Sequence, residues 1–321
     1  MLIKSADDQT RHLQLLEDLQ SSPLLDRWQK DKLREHIQRK KTGLQGERDA
    51  AHYIDTHLGD STNHVVLHDL RLESGGDVAQ IDHLIIGRGF HFFLLETKNF
   101  GGNLSINAAG EFTVDYGREK YGIESPIEQS KRHEVVLLRV LDELGIAGRL
   151  RQRPKIFHAV LLHPRALISR PPIESFDTTN VVKADQFETW RQKTIDSIGV
   201  ASTLGLIANI ASVETIRGWG QSLVARHRPT SALDLPAWLK PQTPKPALIA
   251  KPTPAVKSPP PPEQVLAASA PAPAKSEDTE KRKLICATCG AKISYSEGKF
   301  CWNNEKRFGG SQYCREHQKA F

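Results

Sequence analysis

The chain has 321 residues, 38% hydrophobic and 7% aromatic, enough to bury one core and a small second module. No stretch approaches the roughly 20 uninterrupted apolar residues of a membrane span, and MLIKSADDQTRH at the start has no apolar signal-peptide core, so the sequence excludes a membrane protein and a cytoplasmic location is expected. The net charge of +6 is unevenly spread: residues 228–274 hold 5 bases and 2 acids, residues 275–321 hold 10 and 6, and residues 1–227 hold 29 and 30. A cationic tail beside a near-neutral body suits an anchor on a polyanion, and equally a solvated linker.

In chain order, a first helix rests on Leu15, Leu16 and Leu19, and after Pro23 a basic helix carries Leu25, Trp28, Leu33 and Ile37 towards Lys40 and Lys41. A third helix is expected to begin near Gly46 and Glu47 and to carry Ala50, Tyr53, Ile54 and Leu58. Strands follow at 64–72, 80–86, 91–98, 104–106 and 112–114, rich in β-branched and aromatic residues. Gly87, Arg88 and Gly89 separate the second from the third, which predicts a hairpin. Ser125, Pro126, Ile127 and Glu128 form a capping box with proline in the first turn of a helix that Gly145 ends. A buried strand at 155–162, an extended piece at Val181 and Val182, and two more helices before His227 complete an α/β domain.

Thirteen of the 19 prolines lie between Pro229 and Pro273, a composition that cannot sustain helix or sheet hydrogen bonding. The expected organisation is an N-terminal helical segment at 1–42, a core at 43–145, its α/β completion at 146–227, a proline-rich disordered linker at 228–280 and a small module at 281–321.

The hairpin carries the chemistry. Folding about Arg88 or Gly89 sets Asp82 opposite Leu94 or Glu96, and Glu96 and Lys98, two apart on one strand, project from the same face. Two carboxylates and an ammonium thus gather in an otherwise apolar run, HFFLLETKN. Carboxylates that close repel unless a hard divalent cation lies between them, and Mg²⁺ (or Mn²⁺) takes such oxygen ligands while keeping waters. Lysine beside the metal can orient or deprotonate a water or steady charge on a phosphate, which suggests phosphodiester hydrolysis. On its own an E-x-K triplet is more often a solvated salt bridge; the paired Asp82 and the apolar strand tip the balance towards a site.

These residues resemble the PD-(D/E)XK nuclease superfamily and, within it, the nuclease-related domain (NERD) family. Gly43, Leu44, Gln45, Gly46 and Glu47 look like its opening, Gln80, Ile81, Asp82 and His83 like its QIDH strand, and Glu96, Thr97, Lys98 and Asn99 like its E-T-K-N strand, followed by Gly101, Gly102, Asn103 and Leu104. Pro126 and Gln129 resemble its N-P-x-x-Q helix, with Ser125 in place of Asn. The resemblance spans roughly residues 43 to 145, a domain-sized stretch. It implies a restriction-endonuclease-like α/β fold, a mixed central sheet flanked by helices. It also implies that Asp82, Glu96 and the Thr97 carbonyl hold the metal, that Lys98 is the catalytic lysine, that Glu47 completes the acidic cluster, and that Gln129 positions metal, water or phosphate. His133 lies one turn beyond Gln129; it and His83 read more readily as structural histidines than as ligands.

All four cysteines, Cys286, Cys289, Cys301 and Cys314, fall in the last stretch, which favours a metal over disulfides. Cys286 and Cys289 form a C-x-x-C knuckle, Cys301 and Cys314 supply the other half of a four-thiolate structural Zn²⁺ site, and His317 competes for one position. The module resembles a zinc ribbon only loosely, and is too small to hold itself without the metal. Lys281, Arg282, Lys283, Lys299, Trp302, Lys306, Arg307, Phe308 and Tyr313 interleave bases with aromatics, a surface for nucleic acid or, equally, core aromatics with solvated lysines. The sequence thus favours a Mg²⁺-dependent nuclease acting on DNA, tethered to its substrate by a zinc module. Its competitors are a non-catalytic nucleic-acid binder and an adaptor docking proteins through the proline-rich linker.

Overall fold

The apolar runs assemble as one mixed sheet clasped by helices, in a computed structural model that describes residues 1–117, 119–198, 207, 209–231, 233–239, 284–308 and 311–320. The chain forms two units, Met1–Lys245 and Pro246–Phe321. In the first, six strands run in the order β1 (Leu2–Lys4), β2 (His64–Ser74), β3 (Asp77–Gly87), β4 (His91–Lys98), β8 (Lys155–Leu162) and β10 (Val181–Lys183). The pairs β2 with β3 and β3 with β4 are antiparallel, and those of β1 with β2, β4 with β8 and β8 with β10 are parallel. A second sheet holds β5 (Asn103–Ile106), β6 (Phe112–Asp115), β7 (Lys120–Ile123) and β9 (Ile168–Ser169). The short strands β1, β7 and β9 carry too few apolar residues to be visible in the sequence pattern.

Strand β4 is buried along most of its length because both faces are covered. Phe92 and Leu94 enter a core with Val136, Leu137 and Val140 of α3 (Pro126–Glu143) and Ile216 and Leu223 of α5 (Val213–Arg226). Phe93 and Leu95 enter the opposite core with Ala50 and Ile54 of α2 (Arg27–Leu58) and Phe187 and Trp190 of α4 (Phe187–Asp196). The alternation fails at one place. Leu67 and Leu70 on β2, and Leu84 and Ile81 on β3, all enter the first core although each pair is three residues apart, whereas a regular strand puts such positions on opposite faces. The break falls at Asp69, whose φ is +53°, and at Asp82 across from it.

Two helices expected separately, one ending near Lys41 and one starting near Gly46, are a single helix, α2, preceded by α1 (Thr10–Ser21). Asp26 caps α2 through a reciprocal pair with Gln29. Glycine costs about 1 kcal/mol in a helix interior, less than burial of Leu33, Ile37, Ala50, Ile54 and Leu58 on the same helix returns. Gly46 is required by packing: a Cβ there would lie 2.5 Å from Cβ of Asn99, whose Nδ2 donates to the Thr42 carbonyl at 2.9 Å.

The boundary at residue 228, drawn from composition, is not a packing boundary. Leu235, Trp238 and Leu239, inside the stretch read as linker, pack with Leu16, Leu33 and Ile37 of α1 and α2. Residues 240–283, and with them most of that linker and Lys281, Arg282 and Lys283, lie outside the described residues. Among the described residues no helix is long and apolar enough to cross a membrane.

Gly46→Ala should therefore lower stability by about 1–3 kcal/mol, against the propensity gain. Gly43→Ala, whose Cβ would meet nothing nearer than Glu47 Oε1 at 4.0 Å, should raise it by up to about 1 kcal/mol. Denaturant unfolding of the pair reads this; two shifts of the same sign would contradict the assigned packing.

Candidate active site

The β3–β4 hairpin pairs His83 with Leu95, and continuing that register one step sets Asp82 level with Glu96. Asp82 Oδ2 accepts from the Thr97 backbone N–H at 2.7 Å. Glu96, nearly buried with a side-chain exposure of 4%, accepts on Oε1 from Lys98 Nζ at 2.6 Å. The same ammonium donates to Gln129 Oε1 on α3 at 3.0 Å, and Nδ1 of His133, one turn further, lies 3.7 Å from Glu96 Oε2. Ser125 caps α3 through Glu128 N–H, which fixes where Gln129 and His133 arrive. Glu47 comes from the covering helix α2 and is joined to the others by charge, within range of Glu96, Lys98 and Asp82.

Electrostatics reflects the crowding. Burial pushes Asp82 well above the usual carboxylate range, and the charges of Glu96 and Glu47 add to it. Burial raises Glu47 too, followed by Asp69, and it raises Glu96 in spite of Lys98. Burial, then the Lys98 and Arg132 charges, pull His133 down to about 4, so it is neutral at physiological pH. Three acids that resist ionisation together, with one lysine among them, are short of positive charge. All offer hard oxygen donors, of the kind a Mg²⁺-type cation takes.

Sequence reasoning did not find two contributors. Asp69, opposite Asp82, is the charge that raises Glu47 most after burial, and it is fixed by the Gln80 side chain, by the Asp7 backbone N–H at 3.0 Å and by its own left-handed turn. The pairing of β2 with β3 is the signal that could have found it, since Asp69 and Asp82 obey the same register sum as His68 and His83. The second is a buried chain of hydrogen bonds. His68 Nε2 lies 3.1 Å from Asp55 Oδ1, the two Nδ1 atoms of His68 and His83 lie 2.8 Å apart, and His83 Nε2 lies 2.9 Å from Thr97 Oγ1. Burial lowers the pKa of both rings. A carboxylate at one end can only accept, so His68 Nε2 carries a hydrogen, His83 Nδ1 donates to His68, and the Thr97 hydroxyl donates to His83. Thr97 is thereby held on two sides, beside Glu96 and Lys98.

In the second unit, taken by itself, Sγ of Cys286, Cys289 and Cys314 and a ring nitrogen of His317 all lie within 4.8 Å of one another. Cys289 Sγ is 4.0 Å from Cys314 Sγ, and His317 Nδ1 is 3.7 Å and 3.1 Å from Sγ of Cys286 and Cys314. A tetrahedral zinc with Zn–S of about 2.3 Å has edges of about 3.8 Å, so the cluster can hold zinc. The knuckle turns at Gly290, φ +67°. Burial opposes ionisation of Cys286, but backbone groups of Cys314, Cys289 and Thr288 bring its thiol down to about 6. Cys301 is not brought to this cluster: it is fully buried, and its sulfur accepts from Tyr313 N–H at 3.3 Å and Gln318 Nε2 at 3.4 Å. The equal spacing of Cys286 with Cys289 and of Cys314 with His317 is the sequence signal for this set.

A mixed α/β fold with carboxylates from adjacent strands, a lysine two residues on and a glutamate from the covering helix defines a nuclease-related class of domain. Residues 42–163 match the family model of the nuclease-related domain, NERD. That implies nucleic acid as its ligand class. No curated protein and no solved structure matches the chain.

A carboxyl whose folded pKa lies above its unfolded one contributes a destabilisation that is absent below the unfolded pKa and grows as pH rises through the folded one. Without divalent cations, Asp82→Asn should therefore melt about 2–4 °C above wild type at neutral pH, with a gap that widens as pH rises from about 4. Thermal melts across pH read this, and a wild type that is the more stable at neutral pH would contradict it.

Proposed function

We propose that the first unit is a Mg²⁺- or Mn²⁺-dependent nuclease that hydrolyses phosphodiester bonds in DNA. The observation that carries the reading is the Glu96, Lys98 and Gln129 network beside Asp82, with its unmet negative charge in an apolar sheet. When bound, a divalent cation would supply Lewis-acid polarisation of a phosphate and a more acidic water. Asp82, Glu96 and the Thr97 carbonyl are the residues to hold it, with Glu47 adding charge. Lys98, drawn between Glu96 and Gln129, is placed to donate to a phosphate oxygen or to exchange a proton with the attacking water. Gln129 orients that ammonium through its amide oxygen. Asp55, His68 and His83 act indirectly, by fixing Thr97.

The C-terminal unit fits a structural zinc module, with Cys286, Cys289, Cys314 and His317 as ligands and Cys301 as a buried thiol. Lys299 and Arg307 on it remain candidates for nucleic-acid contact, and the proline-rich stretch for protein contact. A module whose cysteines are kept reduced suits the cytoplasm.

Cleavage of linear, circular and single-stranded DNA and of RNA, with Mg²⁺, Mn²⁺ or chelator, tests the nuclease. Metal-dependent cutting that falls at least about a thousandfold in both Asp82→Ala and Lys98→Ala is expected; persistence of cutting in both variants, or none in wild type with any metal, overturns the assignment. For the module, cobalt substitution should show thiolate-to-metal absorption that His317→Ala and Cys314→Ala perturb and Cys301→Ala leaves unchanged. Loss of metal in Cys301→Ala with retention in His317→Ala would reverse the ligand choice.

A further inference from the structure

The N-terminal half of α2, residues 27–41, carries seven bases, Arg27, Lys30, Lys32, Arg34, Arg39, Lys40 and Lys41, against two acids, Asp31 and Glu35. Arg34 and Arg39 pair with those acids only at the exposed surface, where such pairs are weak. Here the returning chain completes a groove of about 460 Å³, lined by Lys32, His36, Arg39, Lys40 and Trp238. Trp28 and Trp238 meet edge to face with ring centroids 6.2 Å apart, and Lys32 Nζ sits 4.7 Å and 4.9 Å from the two ring centres. Trp28 is 60% exposed, an unusual cost for so large an apolar ring. Lys32, Arg39 and Lys40 among its lining make the groove electropositive, and burial, then the charges of Lys40 and Arg39, depress the pKa of His36.

The same helix leads into the acidic centre. His36 and Lys40 are one turn apart, and Glu47 follows Lys40 by seven residues, about two full turns and about 10 Å along the axis, so all three lie along one face. Between them Gly43 has no side chain to obstruct the path; a Cβ there would point at Glu47 Oε1. The Lys40 charge is close enough to lower the pKa of Glu47.

We propose that the groove of Lys32, His36, Arg39, Lys40 and Trp238, with the exposed Trp28 ring against Trp238 beside it, binds a single strand of nucleic acid and leads it along α2 to the acidic centre. Phosphates neutralise the basic side chains and an unpaired base stacks on Trp28, the combination of backbone tracking and aromatic platform that single strands require. A duplex keeps its bases stacked inside and has no use for the exposed ring. The surface is outside the family match, since residues 27–41 and Trp238 precede and follow residues 42–163. The inference rests on the nuclease reading only for where the strand is led.

The test uses the full chain carrying Asp82→Ala, without added divalent cation, so that binding is read in the absence of cleavage. Fluorescence anisotropy of a short labelled oligothymidylate gives the affinity and its salt dependence. Trp28→Ala should weaken binding about fivefold or more. Lys32→Gln with Lys40→Gln should weaken it about tenfold and reduce the slope of log K against log salt by about 1.4, two phosphates' worth. Lys40→Arg should bind as the parent does, which separates loss of charge from loss of fold. Affinity and slope unchanged in the groove variants, or no binding of the parent at all, overturns the proposal. So does a polyglutamate peptide that competes equally well with the same dependence on Trp28, which would assign the groove to an acidic protein partner. With Asp82 intact and Mg²⁺ present, absent cleavage alongside groove-dependent binding would remove the nuclease reading alone, and cleavage with an unchanged KM in the groove variants would remove this one alone.

Discussion

Asp82 and Glu96 reach one end of an apolar sheet from neighbouring strands, and Glu47 reaches it from the helix lying across them. In water their repulsion would be screened; here burial raises all three pKa values, and the charges of Lys98, Lys40 and Arg132 offset it only in part. The rest of the first unit holds that arrangement in place. Phe92 and Leu94 on one side of β4 and Phe93 and Leu95 on the other fix the strand, so Glu96 cannot move out to solvent without dislodging both cores. Stability is given up locally where these acids are held together, a common pattern where binding or catalysis needs preorganised electrostatics.

The flanking polar structure serves the same end. The chain from Asp55 through His68 and His83 to the Thr97 hydroxyl has one allowed direction of hydrogen bonding, since a carboxylate closes it at one end. It ties α2, which carries Glu47, to β4, which carries Glu96 and Lys98, through two strands between them. A change in any of its links is felt at Thr97, whose N–H holds Asp82.

Much of this was legible in the sequence. The Gly87, Arg88, Gly89 punctuation predicted the hairpin and narrowed the partner of Asp82 to Leu94 or Glu96, because register follows from turn length; the pairing of His83 with Leu95 selects Glu96. The capping residues around Ser125 placed Gln129. What was hidden depended on departures from regularity. The parity break at Asp69 and Asp82 has no period to detect, so Asp69 went unnoticed. Gly43 and Gly46 read as a helix boundary, yet Gly46 is a contact with Asn99 more than fifty residues away. Cysteine identity drew the eye to Cys301, whereas spatial convergence favours His317. These are facts of tertiary contact, and local pattern does not contain them.

The docking of Leu235, Trp238 and Leu239 on α1 and α2 alters how the two ends of the first unit depend on each other. The proline-rich segment begins where composition changes, but the fold closes later, on a tryptophan already within it. An ancestral exchange of tails, or a protease that trimmed the chain at the first prolines, would strip the covering from Leu33 and Ile37 and take one wall from the groove. The helices at the start of the first unit and residues 235–239 are thus one packed piece, and a cut anywhere before Leu239 removes part of it.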